Sequence, residues 1–225
     1  MATNDFSAEE PQNYAQKTVV CFVLDVSGSM RGNPIDELNA GLDQFKNDIS
    51  KDKTIADRLE VAIVTFSDKI ERAVEPGLIS TIKLPRLTTS GGTRLVDGAR
   101  EGLALVTARK AWYKETGQPF LRPWVIVITD GEPDDDQDVN GLGAEVRAGT
   151  ANKNFLFFAI GVEGANMRRL KDISDPSMQP AKLQGLKFSD FFKWLSASMS
   201  VVASSRDGQQ VNLPSPAGWM QGVTV

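Results

Sequence analysis

Four segments of this chain are apolar almost without interruption: "KTVVCFVLD" at 17–25, "RLEVAIVTFS" at 58–67, "PWVIVITDG" at 123–131 and "NFLFFAIGV" at 154–162. A strand with one wet face alternates apolar and polar residues, whereas a strand covered on both faces reads as a continuous apolar run. The four runs therefore predict the inner strands of a parallel sheet with helices on either side. The intervening segments have the matching period. "RGNPIDELNAGLDQFKNDISKD" places Ile35, Leu38, Leu42, Phe45 and Ile49 on one helical face, with Asn33 as the expected N-cap and Pro34 at the first helical position. Residues 94–115 do the same through Leu95, Ala99, Leu103 and Val106, and residues 139–152 read as a further helix. "ANMRRLKDIS" is a short helix, and "FSDFFKWLSASMSVV" is an amphipathic one through Phe188, Phe191, Phe192, Leu195 and Met199, its aromatic cluster up to Trp194 expected in the core.

One segment breaks the alternation. "KIERAVEP" at 69–76 follows the second run after almost no turn, too short a connection to cross a sheet, so this strand must be antiparallel to its predecessor. "PAKLQ" is expected as a small edge strand. With right-handed crossovers, the fold class is α/β: a Rossmann-like doubly wound sheet with strand order 3-2-1-4-5-6. It has five mainly parallel strands, one antiparallel edge strand and helices on both faces. A chain of 225 residues suits one such domain. The expected organisation is a polar extension at 1–16, the domain at 17–203 and a Gly/Pro-containing tail at 204–225, whose Trp219 either docks back or meets a partner. There is no internal repeat.

Composition removes several function classes. The chain has no histidine, which excludes Ser-His-Asp and Cys-His nucleophile systems, HExxH zinc sites and imidazole proton shuttles together. Its single cysteine, Cys21, lies mid-strand between Val20 and Phe22 and reads as a small buried hydrophobe. A net charge of −4 gives no support for a broad nucleic-acid surface, so no nucleic-acid partner is expected. No apolar run approaches the ~20 residues of a membrane span, so no membrane partner is expected either. The polar, acidic start "MATNDFSAEEPQNYAQKT" lacks the apolar stretch of a signal peptide, and the expected location is cytoplasmic.

In the expected strand order, the strand ending at Asp25 and the one ending at Asp130 are neighbours at the switch point, where ligands bind in this architecture. Asp25, Ser27, Ser29, Thr93 and Asp130 should gather there. All offer oxygen and none offers nitrogen or sulfur. Two carboxylates and three hydroxyls suit a hard cation, Mg²⁺ or Mn²⁺ ahead of Ca²⁺, and not Zn²⁺. With few carboxylates the metal stays electrophilic and open to an anionic oxygen from outside. Gly28, Gly91 and Gly92 serve tight turns; they form no phosphate loop, since neither GxxxxGK[ST] nor GxGxxG is present. The acidic stretch "EPDDDQD" at 132–138 reads as a solvated loop favouring the next helix N-terminus. Arg31 and Arg94 flank the site, either steering an acidic partner or as ordinary surface charge.

"DVSGSM", followed by a Thr in "TSGGT" and an Asp in "TDGEP", resembles the metal-ion-dependent adhesion site (MIDAS) of von Willebrand factor A domains: Asp-x-Ser-x-Ser, a distant Thr and a distant Asp. The resemblance covers about residues 17–203. It implies that Ser27 and Ser29 bind the metal directly, that Thr93 does so in a ligand-competent state, and that Asp25 and Asp130 act largely through bound water. It further implies that a partner protein's Glu or Asp fills the open metal position. "SGSMRGNPIDELNAGL" and "FFKWLSASMS" are similar to the bacterial TerY/YegL-like subgroup, which implies a tellurite-resistance or stress-response setting with kinase and phosphatase partners.

The expected function is a non-enzymatic, metal-dependent interaction module. The alternative is a Mg²⁺-dependent phosphohydrolase of haloacid-dehalogenase type with Asp25 as nucleophile, to whose acidic motif "TDGEPDD" is faintly similar. That chemistry wants a second Asp two residues on, as general acid/base, and Ser27 stands there. A third expectation concerns regulation: the tail hydroxyls of Ser204, Ser205 and Ser215 are candidate phosphate acceptors.

Overall fold

A computed structural model describes residues 6–206 and 209–220. Six strands form one sheet in the order β3-β2-β1-β4-β5-β6, the order expected from the sequence. β1 is Thr18–Asp25, β2 Leu59–Phe66, β3 Ile70–Leu78, β4 Trp124–Thr129, β5 Leu156–Gly161 and β6 Ala181–Lys182. Only the β2–β3 pairing is antiparallel; β1 pairs in parallel with both β2 and β4, and β5 with both β4 and β6. The exposed edge at β3 carries Glu71, Arg72, Glu75 and Pro76, the charge and proline that discourage a further strand from pairing there.

The helices are α1 (Asn33–Ser50), α2 (Lys53–Ala56), α3 (Leu95–Glu115), α4 (Val139–Ala151), α5 (Met167–Asp172) and α6 (Phe188–Ser204). β1 shows why its sequence is apolar throughout. Val20, Phe22 and Leu24 face the core under α1 and α6, while Val19, Cys21 and Val23 face the one under α3, α4 and α5. On the first face the rings of Phe22, Phe45 and Phe192 meet at 5.6–6.0 Å between centroids and tie β1, α1 and α6 together. On the second, α3 approaches β1 so closely that a Cβ at Gly102 would lie 2.5 Å from Val23 Cγ2. Burial holds the Cys21 thiol far above its ordinary range, consistent with its reading as a core residue.

Two local expectations shift. α1 begins at Asn33, so Gly32, at φ 86°, occupies the N-cap, Pro34 falls one position later than expected, and no side chain caps the helix. The chain leaves the preceding loop through a left-handed turn that suits Gly32 and not Asn33. The helical segment expected to run to residue 52 stops at Ser50, because Asp52 caps α2 by accepting from the amides of Thr54 and Ile55.

Both ends of the described chain pack on the domain. Phe6 is buried against the α3 side, where Arg109 sits between Glu60 and Glu9 and stacks on Trp112. Trp219 docks back, its ring 5.0 Å from Phe191 and 5.2 Å from Trp194, and the Gln184 amide donates to its carbonyl. Phe188, Phe191 and Phe192 are core residues, as their spacing predicts.

Candidate metal site

β1 ends at Asp25 because the carboxylate takes over from the sheet. Its Oδ1 accepts from the Ser27 amide at 2.8 Å, turning the chain into a short 3-10 turn at Gly28–Met30. The turn is laced to the loop before α3: the Ser90 amide donates to Val26 O at 2.8 Å and the Gly28 amide to Gly91 O at 3.0 Å. Parallel neighbours β1 and β4 deliver Asp25 and Asp130 to the same end of the sheet.

The five expected residues meet there. Ser27 Oγ and Ser29 Oγ are 2.9 Å apart, and Ser29 Oγ donates to Asp130 Oδ1 at 2.8 Å. Thr93 completes the set across Gly131: a Cβ at that glycine would lie 3.2 Å from Thr93 Oγ1 and 3.5 Å from Asp25 Oδ2. Gly131 thus leaves open a space bordered by a hydroxyl and a carboxylate. Asp25 and Ser27 are buried, Thr93 is nearly so, Asp130 is half-buried, and Ser29 faces solvent.

Three further residues hold this arrangement and were not singled out in the sequence. Thr129 donates its hydroxyl to Asp25 Oδ2 at 2.5 Å and accepts from the Gly131 amide at 3.0 Å. Asp68 accepts from the Gly92 amide at 2.6 Å. Asp134 accepts from the Thr93 amide at 3.2 Å, while its own amide donates to Thr93 O at 3.1 Å. The acidic loop therefore clamps Thr93 at one end and caps α4 at the other, where Asp138 accepts from the Gly141 amide. Thr129 had a local signal, since it is the hydroxyl residue beside Asp130 on the last position of β4. Asp68 had none, and Asp134 was marked only as part of the acidic stretch at 132–138.

The flanking charges divide. Arg94 is bonded to Asp97 and Asp136, whereas Arg31 is exposed. Of the tail hydroxyls, Ser205 is buried and donates to Val202 O, while Ser204 and Ser215 are exposed.

Electrostatically the site is short of positive charge. Burial pushes the Asp25 carboxyl up to about 6, against the opposing pull of its Ser27 and Thr129 hydrogen bonds. Burial also raises Asp130, offset in part by the Ser29 hydroxyl. Among the described residues no cluster of three or more His, Cys, Asp or Glu gathers in a metal-holding arrangement, so hydroxyls make up most of this donor set. A buried and a half-buried carboxylate plus hydroxyls, with oxygen throughout, fit a hard divalent cation.

The fold and crevice define a class: a doubly wound α/β domain with an oxygen-lined site at its topological switch point. The sequence profile of the von Willebrand factor type A domain matches residues 20–191, and the chain belongs to that family. The mouse collagen alpha-5(VI) chain is 27% identical over 165 residues, 70% of this chain and 6% of the collagen. The human collagen alpha-6(VI) chain is 26% identical over 165 residues, 70% of this chain and 7% of that one. The chain thus spans less than a tenth of the length of these relatives. Among solved structures, the pilus adhesin SpaC from Lactobacillus rhamnosus GG superposes with a TM-score of 0.67 at 14% identity, over 86% of this chain and 32% of the adhesin. Proximal thread matrix protein 1 of the mussel byssus, with a zinc-occupied MIDAS motif, gives 0.53 at 20% identity, over 85% and 46%. At these identities the structural likeness carries the fold alone.

Proposed function

We propose that the chain is a non-enzymatic interaction module that binds a divalent cation through Asp25, Ser27, Ser29, Thr93 and Asp130. The observation that carries this reading is the convergence of three distant segments on one crevice, with Ser29 bonded to Asp130 and Gly131 leaving room beside Thr93 and Asp25. The oxygen-only donor set favours Mg²⁺, with Mn²⁺ or Ca²⁺ as substitutes. When bound, the cation supplies an electrophilic position for a carboxylate oxygen of a partner protein's Glu or Asp. The chain's part is to hold its donors: Ser27 N and Thr129 fix Asp25, Asp134 fixes Thr93, and Asp130 orients Ser29. Ser27 occupies the position where a phosphohydrolase of the alternative type would carry its acid/base, and its amide is already bonded to Asp25.

The proposed setting is the bacterial cytoplasm, in a tellurite-resistance or stress-response assembly with a kinase and a phosphatase. Support for it comes from the likeness of "SGSMRGNPIDELNAGL" and "FFKWLSASMS" to the TerY/YegL-like subgroup. No helix among the described residues is long and apolar enough to cross a membrane.

The test is calorimetric titration of Mg²⁺, Mn²⁺ and Ca²⁺ into parent, Asp25→Asn and Thr93→Ala proteins, followed by partner capture with Mg²⁺ or with EDTA. Metal binding by the parent, its loss in both variants and an EDTA-sensitive partner are expected. Metal binding that survives both substitutions would overturn the site; a partner captured equally in EDTA would overturn the metal bridge.

A further inference from the structure

The pole opposite the metal crevice holds a groove of about 1120 Å³ at the N-terminal ends of β4 and β5, beside the C-terminal turns of α3 and α6. Phe120, Leu156, Val211 and Leu213 give it apolar walls, and Lys110, Lys114, Arg122, Lys153 and Arg206 line it as well. No Asp or Glu lines it among the described residues. Elsewhere Arg72, Arg86, Arg94, Arg100, Arg109 and Arg169 each form an ion pair. None of the five groove cations does so among the described residues, and Lys110 finds only the neutral oxygens of Asn154. Burial first, then the Lys114 and Arg122 charges, hold the Lys110 ammonium below its ordinary range.

One detail of the backbone points the same way. Lys153 sits at φ 56°, the one non-glycine residue with positive φ among those described. It stands just past the C-cap of α4, where α3 uses Gly117 at φ 68° in the equivalent place. A side chain is unfavourable in that conformation, so the position keeps a lysine against a local preference for glycine. Favourable placement near helix C-termini accounts for Lys114, in the last turn of α3, but not for Arg122, which lies outside any helix.

We propose that this groove binds an extended acidic peptide segment of a partner protein, carrying apolar residues among its carboxylates, without any metal. Carboxylates meet the five cations, and apolar side chains meet the walls. The apolar walls suit aliphatic side chains and offer nothing to a phosphate backbone, which favours a peptide over a nucleic acid. The domain then engages acidic ligands at both ends of its sheet, the length of β1 apart, roughly 25 Å at ~3.3 Å per residue.

The test is fluorescence anisotropy with the full chain in EDTA. The probes are a labelled peptide of Glu, Leu and Ser, its Gln-for-Glu counterpart and an oligothymidine of similar length. The acidic peptide should bind and weaken at high salt, and the Gln peptide should bind at least about tenfold more weakly. Arg122→Glu combined with Lys153→Glu should lose about tenfold or more, with circular dichroism confirming the fold. Lys153→Gly should weaken binding severalfold while its melting temperature stays level or rises, which guards against misfolding of the double variant. The proposal is overturned by absence of acidic-peptide binding, by equal binding of the Gln peptide, by tighter binding of the oligonucleotide or by indifference to these substitutions. EDTA throughout keeps the outcome separate from that of the metal site.

Discussion

Ser29 Oγ donates a 2.8 Å hydrogen bond to Asp130 Oδ1, joining residues 101 positions apart in the chain. The bond exists because parallel β1 and β4 lie side by side, so the loops leaving their C-terminal ends emerge at one place. It also makes the crevice a unit: Ser29 touches Ser27 and Asp130, and Asp25 is fixed by Ser27 and Thr129. Disturbing one member should register at the others.

Asp25 makes the metal-free site unstable by design. Its carboxyl titrates at about 6 in the fold, above the ordinary value of 3.8. A carboxyl raised on folding stabilises the protonated native state, so stability should fall as pH rises through the window between these values. About two pK units correspond to a loss of order 3 kcal/mol above pH 6. In EDTA near neutral pH, Asp25→Asn should therefore be more stable than the parent by about 1–3 kcal/mol, as measured by urea denaturation, while losing Mg²⁺ binding. Near pH 4 the stability difference should vanish. A variant less stable than the parent at neutral pH would contradict this account.

Protons and metal compete for the same carboxylates. The rise in melting temperature produced by Mg²⁺ should grow as pH increases through about 6 and be small below pH 5, where Asp25 is protonated. Differential scanning fluorimetry across pH with and without Mg²⁺ measures this directly. A shift independent of pH would place the metal elsewhere.

Thr129 is expected to act through Asp25. Thr129→Val keeps the shape and β-branching but removes the donor to Asp25 Oδ2 and the acceptor of the Gly131 amide. Loss of such a supporting partner costs about 10–100-fold in metal affinity. Calorimetry should show weaker Mg²⁺ binding by Thr129→Val with the oxygen donor set itself intact. Unchanged affinity would show that Ser27 N alone positions the carboxylate.

Gly131→Ala tests the space beside Thr93. The added methyl would lie 3.0 Å from Thr93 Cγ2 and 3.2 Å from its Oγ1, tighter than ordinary contact. The glycine has no positive φ, so the backbone should accept alanine, and circular dichroism should remain that of the parent. Metal affinity should drop by about tenfold or more through the displaced hydroxyl.

Trp219 is expected to matter for stability alone. It is buried between Phe191 and Trp194, and its indole N–H has no acceptor among the described residues. Trp219→Ala should cost about 3 kcal/mol by loss of packing, read from urea denaturation, with Mg²⁺ affinity unchanged because the site lies at the ends of other strands.

The continuous apolar runs and their alternation with amphipathic segments determined the architecture before any coordinates. A strand covered on both faces has to be apolar at every position, as Val19 to Leu24 are, and helices that cover it need one apolar face. The short link between β2 and β3 likewise left one possible direction for β3. The sequence also named the five candidate donors, because Asp25, Ser27 and Ser29 are local and Thr93 and Asp130 are carried by marked turns. What it did not reveal was the support around them. Asp68 and Asp134 act through hydrogen bonds to groups 24 and 41 positions away, and such partners leave no spacing or periodicity to read, while Thr129 is marked only by standing beside Asp130. The raised Asp25 and the crowded cations of the opposite pole belong to the same category. Both depend on burial and on charges from separate elements, which exist only once the sheet and its helices are assembled.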